Sequence, residues 1–209
     1  VQITVAASAP TLYYYCTQHS GMGGAINTNT TLGSSNFDGS IQTRVKVNAT
    51  AGFSIVTYTG NGNTSATIGH GLGVAPNAII LKNRSSATDW VVMHSSSPFY
   101  DGGNYKHQPL KLNTDDALVS ILGLWATPNS STQSISDGQT SSGNRPLSNA
   151  SGDNYVAYCF SSVAGYSKFG SYTPNQNDDG PFVYLGFRPR FLMIKATGQI
   201  YSGVNGNWY

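Results

Sequence analysis

The chain has 209 residues, of which 10% are charged, and its formal net charge is +2. All nine acidic residues are Asp, none is Glu, and 24 residues are Gly. Because Glu favours helices while Gly, Ser, Asn and Thr favour turns and strands, this composition excludes a predominantly helical protein. The eleven basic residues are scattered, which argues against binding to nucleic acid or insertion into a membrane.

The head of the chain carries residue types that bind metals. Residues 12–16 are predicted to form an aromatic strand, and its last residue begins the motif Cys-x2-His-x2-Met at Cys16, His19 and Met22. On a tight loop this spacing places a thiolate, an imidazole and a thioether around one point, the ligand set of a blue-copper centre that lacks one His. The sequence therefore predicts a candidate copper site whose fourth ligand lies upstream of the first residue. The alternative is a packed Cys and a hydrogen-bonded His without metal.

A polar stretch at residues 27–39 has little to bury, and it predicts a domain boundary. The sequence is accordingly divided into four regions: the C-terminal hairpin of an upstream domain (1–27), a linker and connecting strand (28–50), a first β-sandwich module (51–163) and the start of a second, truncated module (164–209).

Short alternating runs predict the strands of the first module. Residues 54–59 and 65–68 alternate on either side of a Gly-Asn-Gly-Asn turn, which predicts a hairpin. Further strands are predicted at residues 41–47, 78–82, 90–93 and 155–160. The side chains predicted to face the core are Ile79, Leu81, Val92, Val156 and Phe160. One helix of a turn or two is predicted within residues 115–125, and the whole pattern favours an all-β, antiparallel β-sandwich of jelly-roll type.

An internal repeat relates the two predicted modules. Its anchors recur in the same order in both copies, and only loops change in length between them. The matching pairs are Gly52-Phe53-Ser54 with Gly165-Tyr166-Ser167, Leu72-Gly73 with Leu185-Gly186, Pro76 with Pro189, Lys82 with Lys195, and Trp90 with Trp208. We therefore expect residues 165–208 to follow the path of residues 52–90.

The sequence offers little for catalysis. His70, His94 and His107 are too widely spaced for a local zinc motif, so each is predicted to be a turn or surface residue. The adjacent acidic pairs at residues 115–116 and 178–179 are interpreted as a helix start and a hairpin loop. The chain is therefore predicted not to be an enzyme. Cys159 lies in a predicted strand, which favours a buried free thiol over a disulfide with Cys16.

Residues 52–60, GFSIVTYTG, and residues 69–76, GHGLGVAP, resemble a repeated module of tailed-phage virion proteins from marine environments. Residues 155–172 are similar to the junction between such modules. Residues 13–24 resemble the head segment of the same proteins, where a cupredoxin-like domain precedes the modules. The resemblance implies a tail-fibre or other appendage component of the virion, without a defined catalytic site.

These observations predict a virion protein with a scaffold or host-attachment role, which assembles with other virion proteins and with copies of itself. Host surface glycans are candidate receptors. They are expected at the loops 95–107 and 127–149, where Tyr100 and Tyr105 offer stacking faces. The alternatives are a secreted carbohydrate-binding or adhesion protein and a copper-binding electron-transfer protein.

Overall fold

The fold is that of a computed structural model, which describes residues 12–19, 23–26, 33–97, 99–100, 106–107, 109–115, 127–135, 147–197 and 208–209. These residues form thirteen strands and no helix. In chain order the strands are β1 (Leu12–Tyr15), β2 (Gly23–Ile26), β3 (Ser34–Asn36), β4 (Thr43–Asn48), β5 (Phe53–Thr59), β6 (Thr67–Gly69), β7 (Ala78–Asn83), β8 (Val91–His94), β9 (Phe99–Tyr100), β10 (Lys106–His107), β11 (Leu110–Lys111), β12 (Thr132–Ser134) and β13 (Asn154–Phe160).

Seven of these strands form one antiparallel sheet in the order β11-β8-β7-β13-β5-β4-β3. The last strand in the chain, β13, lies at the centre, between β5 and β7. Its Cys159 stands opposite Ser54 on one side and Ile79 on the other. Because side chains alternate along a strand, this register puts all three residues on the same face of the sheet. Each is buried, so this face is the core face.

A second layer covers the core face. It consists of β6 paired with β12, and it lies against β4, where the Thr43 hydroxyl donates a hydrogen bond to the Gly69 carbonyl. Ile68 and Ile135 from this layer join the same buried cluster as Val45 and Val56 of the large sheet. The described residues thus confirm the predicted all-β class and the antiparallel β-sandwich. Within them, no helix is long and apolar enough to span a bilayer.

The hairpin predicted between residues 54–59 and 65–68 is wrong. β6 pairs with β12, and β5 is bonded on both of its edges, to β4 and to β13. A central strand has no free edge for its next neighbour in sequence. The turn at Gly60 instead leads the chain out of the large sheet and into the second layer.

Three of the predicted core residues lie on the face of the large sheet opposite the core face. Tyr155, Ala157 and Cys159 take the core face of β13, so Val156 and Phe160 are half-buried on the opposite face. Both faces of β13 carry apolar side chains, and only its register with the neighbouring strands decides which set is buried. Of the other predicted core residues, Ile79 and Leu81 line the core face, while Val92 is buried beside Leu110 on the opposite face. The helix predicted at residues 115–125 lies almost entirely outside the described residues.

Residues that the sequence assigned to the linker contribute to the large sheet. β3 pairs with β4, and β4 pairs with β5. Thr43 and Val45 are buried on the core face, where Val45 stands opposite Val56. The sheet therefore extends back to Ser34, within the region predicted as linker and connecting strand.

The second copy of the repeat reproduces some features of the first. Gly52 and Gly165 both have positive φ, 64° and 75°, and so do Gly73 and Gly186, 75° and 82°. The counterpart of β7 differs, because residues 191–196 form no strand apart from an isolated bridge between Lys195 and Trp208. The expectation that the second copy follows the path of the first thus holds at these turns and at the contact between the Lys ammonium and the Trp ring, which is 5.9 Å from Lys82 to Trp90 and 5.3 Å from Lys195 to Trp208. It does not hold along the central strand.

Candidate functional site

The predicted metal motif lies on the loop between β1 and β2. Cys16 follows β1 directly and is half-buried, and His19 is exposed three residues later. The sulfur of Cys16 lies 3.3 Å from Nδ1 of His19, so the loop brings two of the three predicted ligands together. Met22 lies outside the described residues. Among the residues that are described, no group of three or more His, Cys or Asp side chains could hold a metal ion.

This pair fits part of a copper site. A thiolate and an imidazole suit soft and borderline transition metals, and together they supply two of the donors that a blue-copper centre requires. The same geometry also suits a thiol–imidazole hydrogen bond without metal, the alternative considered above. Both cysteines are free, so the Cys16–Cys159 disulfide does not form in this structure.

The two thiols are expected to differ sharply in reactivity. Cys159 is fully buried in the sheet, and burial raises the pKa of its thiol to about 12, although the nearby Ser54 hydroxyl opposes this shift. Because the thiolate is the reactive form, a thiol reagent added to the folded chain should label Cys16 promptly. Labelling of Cys159 should be slower by a factor on the order of 10³ or more, since it requires the sheet to open.

Mass spectrometry of the labelled peptides measures both rates. The Cys16→Ser variant provides the control, because it should lose the fast phase and retain the slow one. Equal labelling of the two thiols in the folded chain would contradict the central position of β13.

His70 was predicted to be a turn or surface residue; it does lie in a loop, but it is buried and has a structural role. Its side chain is fully buried in the loop after β6. Nε2 lies 3.1 Å from the Asn129 carbonyl and Nδ1 accepts a hydrogen bond from the Leu72 amide at 3.2 Å. Because a carbonyl only accepts and an amide N–H only donates, the ring is neutral with its proton on Nε2. His70 therefore joins the loop after β6 to the loop before β12.

Burial lowers the pKa of His70 below its ordinary value of 6.5, while the Asn129 carbonyl and the Asp38 carboxylate oppose this shift. In the unfolded chain the imidazole takes up its proton near pH 6.5, whereas in the folded chain it does so only at lower pH. The unfolded state thus binds more protons in this interval, and the free energy of unfolding should fall as the pH drops below about 6.5.

Urea unfolding between pH 8 and pH 5 measures this dependence. The slope of the free energy of unfolding against pH is proportional to the number of protons taken up on unfolding. His70→Gln should reduce that number by at most one. The matched variant His94→Gln alters a half-buried histidine at the end of β8 and should leave the His70 contribution in place. An unchanged slope in His70→Gln would contradict the assignment.

A buried polar network lies where β7 ends and β13 begins. Asn83 donates from Nδ2 to a carboxylate oxygen of Asp153 at 2.8 Å and to the Tyr155 hydroxyl at 3.1 Å. Its Oδ1 accepts hydrogen bonds from the amides of Ser85 and Ser86. The Ser86 hydroxyl donates to the same Asp153 oxygen at 3.1 Å. These bonds hold the loop after β7 in one conformation.

The loop held by this network lines an open cleft of about 630 Å³. The half-buried Trp90 ring forms part of its wall, the Lys82 ammonium lies 5.9 Å from the centre of that ring, and it donates to the Thr88 carbonyl. The lining residues are Lys82, Asn83, Arg84, Ser85, Ser86, Ala87, Trp90 and Val156. An indole ring beside hydroxyl, amide and guanidinium groups is a combination that suits a hydroxylated ligand such as a sugar.

The sequence did not predict this cleft. It identified Trp90 as an anchor of the repeat but missed the polar network, whose members come from β7, the loop after it and the start of β13. One local signal was available, since Asn followed by Arg-Ser-Ser at residues 84–86 is typical of a turn in which the Asn side chain accepts backbone amides.

The residues predicted to bind a receptor are only partly placed. Tyr100 lies on β9, which pairs with β10 through Tyr100 opposite Lys106, while Tyr105 lies outside the described residues. The loop after β8 starts at the end of the sheet where Ala78 stands opposite His94. Residues 147–150 lie at the other end, where Asn149 bonds to Asn61. Residues 147–149 of the second predicted receptor loop therefore lie at the opposite end of the sheet from the start of the first.

Residues 27–209 match a protein family described as Domain of unknown function (DUF7483). The chain belongs to this family. The DUF7483 match begins at residue 27, where the sequence placed the end of the head segment, and it includes both copies of the repeat. No curated protein and no solved structure matches the chain.

Proposed function

We propose that the chain is a structural component of a virion, part of a tail fibre or similar appendage, with a scaffold or host-attachment role and without turnover of a substrate. The observation that carries the proposal is the repeated β module. The positive-φ glycines and the Lys–Trp pair recur in both copies, which supports a protein built by stringing equivalent units together. Such a chain extends in one direction and presents the same surface many times.

Contacts between the two copies support an array of packed modules rather than a chain of modules that do not contact one another. Trp208 donates from its indole nitrogen to the Lys111 carbonyl at 2.9 Å, and the Lys195 ammonium donates to the Thr114 carbonyl at 3.1 Å. Phe169 lies 6.0 Å, centre to centre, from the Phe160 ring of the first copy. The second copy is thereby tied to the first at several points, as an extended scaffold requires.

Attachment would use weak sites repeated along the array. The cleft beside Trp90 is one candidate for a host glycan, and the loop that carries Tyr100 and Tyr105 is another. A weak site becomes effective when several copies bind at once, because linked sites raise the local concentration of one another. A multimeric fibre with one such site per module thus needs only modest affinity at each.

The cleft also supports a second candidate function, that of a secreted carbohydrate-binding or adhesion protein. Its combination of Trp90, Arg84 and serine hydroxyls suits a sugar on a cell surface as well as on a phage host. The two functions differ in where the protein is found and share the same binding chemistry.

The attachment role can be tested on an assembled particle. β8 and β11 are neighbours at the edge of the sheet, so deleting residues 99–107 removes Tyr100 and Tyr105 and leaves a short connection between two paired strands. Loss of adsorption to host cells with intact assembly would support receptor binding at this loop. Failure to assemble would assign the loop to subunit packing instead.

Two point variants sharpen this test. Tyr100→Ser with Tyr105→Ser keeps the loop length and removes only the rings, and Trp90→Ser removes the ring of the cleft. Adsorption lost in one variant and kept in the other identifies the site. Hydrolysis of host polysaccharide by the unmodified chain would overturn the proposal that it turns over no substrate.

A further inference from the structure

The outer face of the large sheet, opposite the core face, carries a row of side chains that crosses neighbouring strands. Arg44 of β4 stands opposite Thr57 of β5, and Thr57 stands opposite Val156 of β13. Val156 also stands opposite Lys82 of β7, and extending the β7–β8 register by one residue places Lys82 opposite Trp90. Because strands lie about 4.8 Å apart, these five residues form a cross-strand row about 19 Å long.

The cross-strand row lies lower than its neighbour on the same face, because Thr57 and Val156 at its centre are small. The neighbouring row carries the larger side chains of Ile55, Tyr158 and Ile80, which stand opposite one another and are half-buried. Three members of the cross-strand row line the open cleft described above. The cleft therefore continues across the sheet toward β4 as a shallow trough.

The other border of the trough is polar. Thr59 stands opposite Asn154, and the Thr59 hydroxyl donates to the Asn154 side-chain oxygen at 3.0 Å. The Arg84 amide donates to the Asn154 carbonyl at 2.7 Å, which holds the exposed Arg84 beside this pair. The Ser85 hydroxyl accepts a hydrogen bond from the Asn154 amide at 2.9 Å. The trough thus has an apolar, aromatic border on one side and hydroxyl, amide and guanidinium groups on the other.

The trough also carries several positive charges. Arg44 and Arg84 are exposed near its two ends, Lys82 belongs to the cross-strand row, and Lys46 is exposed one row away on β4. Among the described residues, neither guanidinium group forms an ion pair. Both are therefore accessible to an anionic ligand.

The acidic residues nearest the trough are held by partners of their own. Asp89, next to Trp90 in the chain, accepts from the Lys111 ammonium at 3.0 Å and from the Asn113 side chain at 2.9 Å. Asp153 is buried in the polar network at the end of β7. No Asp occurs among the residues that form the cross-strand row and its two borders. A cleft lined by charges of one sign attracts ligands of the opposite sign.

We propose that the trough binds an extended acidic polysaccharide, whose sugar units carry carboxylate groups and whose chain runs across the strands from the cleft toward β4. Arg44 and Arg84 each bind a carboxylate, because a guanidinium group donates two parallel hydrogen bonds to it. The half-buried rings of Trp90 and Tyr158 offer faces for sugar rings, and the polar border bonds to their hydroxyl groups. This inference rests on the proposed attachment role and adds the chemical class of the receptor.

The composition of the trough favours a polysaccharide over single-stranded nucleic acid, another extended polyanion. Proteins that bind single strands stack successive bases on several aromatic side chains. Of the residues that form the trough and its borders, only Trp90 and Tyr158 are aromatic, and both are half-buried. The polar border instead suits a ligand rich in hydroxyl groups.

Calorimetric titration of the 209-residue chain with hexamers of galacturonic, mannuronic and guluronic acid tests the trough. We expect saturable binding of at least one hexamer. Its affinity should fall at least about fivefold when the ionic strength is raised from about 0.1 M to about 1 M, because salt screens exposed charges. The methyl-esterified form of the same hexamer keeps every hydroxyl group and loses the charges, so it should bind at least about tenfold more weakly.

Matched variants locate the site on the sheet. Arg44→Gln combined with Arg84→Gln should weaken binding at least about tenfold, whereas Arg190→Gln removes one charge from an exposed residue outside the large sheet and should change the affinity less than about twofold. Thr57→Phe fills the trough without changing the charge, and it should also weaken binding about tenfold. Circular dichroism of each variant checks that the fold is retained.

Several results would overturn the proposal. They are the absence of binding to all three hexamers, equal binding of the esterified form, and an effect of Arg190→Gln as large as that of the double variant. Tighter binding of a single-stranded oligodeoxynucleotide or of a polyaspartate peptide would assign the trough to another class of ligand. None of these results decides whether the protein is part of a virion or whether particles lose adsorption, so the proposed attachment role is tested separately.

Discussion

Replacing Tyr155 with alanine is expected to lower the free energy of unfolding by about 3–5 kcal/mol, the range typical of a large buried aromatic side chain. Tyr155 is fully buried at the start of the central strand, and its ring stacks on Tyr58 with centres 5.1 Å apart. Its hydroxyl accepts hydrogen bonds from the Asn83 side chain and from the Ala150 amide. The change thus removes packing and polar contacts together. Urea unfolding followed by circular dichroism measures the loss.

Tyr155→Phe separates the two contributions. It retains the ring and leaves the Ala150 amide without its acceptor, which should cost about 1–3 kcal/mol. The Tyr58→Phe variant provides a comparison, since the Tyr58 hydroxyl donates a single hydrogen bond, to the Ser148 carbonyl at 2.6 Å. A loss of less than about 1 kcal/mol in Tyr155→Ala, the size of an average point mutation, would contradict the central place of β13 in the core.

The second large effect is expected at Gly52. Gly52→Ala adds a Cβ at a left-handed position, which costs about 1–2 kcal/mol, and it also brings that atom against the Ser161 carbonyl and the Val163 side chain. The close contact with Ser161 and Val163 should add about 1–3 kcal/mol to the loss in free energy of unfolding, because the neighbouring backbone must move. Denaturant unfolding of the 209-residue chain measures the total.

Gly165→Ala is the matched control for this variant. Its backbone has nearly the same φ, and none of the residues that the structure describes lies within 4 Å of the added atom. It should therefore show only the cost of the left-handed backbone, and the difference between the two variants isolates the close approach of the segment after β13. Equal destabilisation by the two changes would contradict that approach.

The sequence predicted which residues form strands better than it predicted how the strands pair. Alternation and turn residues are local, and they correctly located β5, β7, β8 and β13. Pairing depends on which edges are free, which no local pattern contains, and the hairpin from β5 to β6 failed for this reason. The prediction of which β13 side chains face the core failed for a related reason, because apolar residues occupy both faces of this strand.

The same distinction separates the parts of the candidate sites that the sequence could predict from those that it could not. Cys16 and His19 are three residues apart, so a loop motif was enough to bring them together. Asn83 and Asp153 are far apart in the chain and meet only because β7 pairs with β13. His70 was predicted to be a turn or surface residue, and its burial follows from the loop before β12, which was predicted only as part of a receptor loop.

Localisation of the protein on particles tests the proposed function most directly. An antibody raised against the 209-residue chain, followed by gold labelling and electron microscopy, is applied to particles purified by density gradient from a culture that produces the protein. The proposal predicts gold at a tail fibre or other appendage, at regular intervals if the modules repeat along it. Protein that stays in the particle-free fluid or on the surface of the producing cell, with unlabelled particles, would contradict a virion role and favour the secreted adhesion protein.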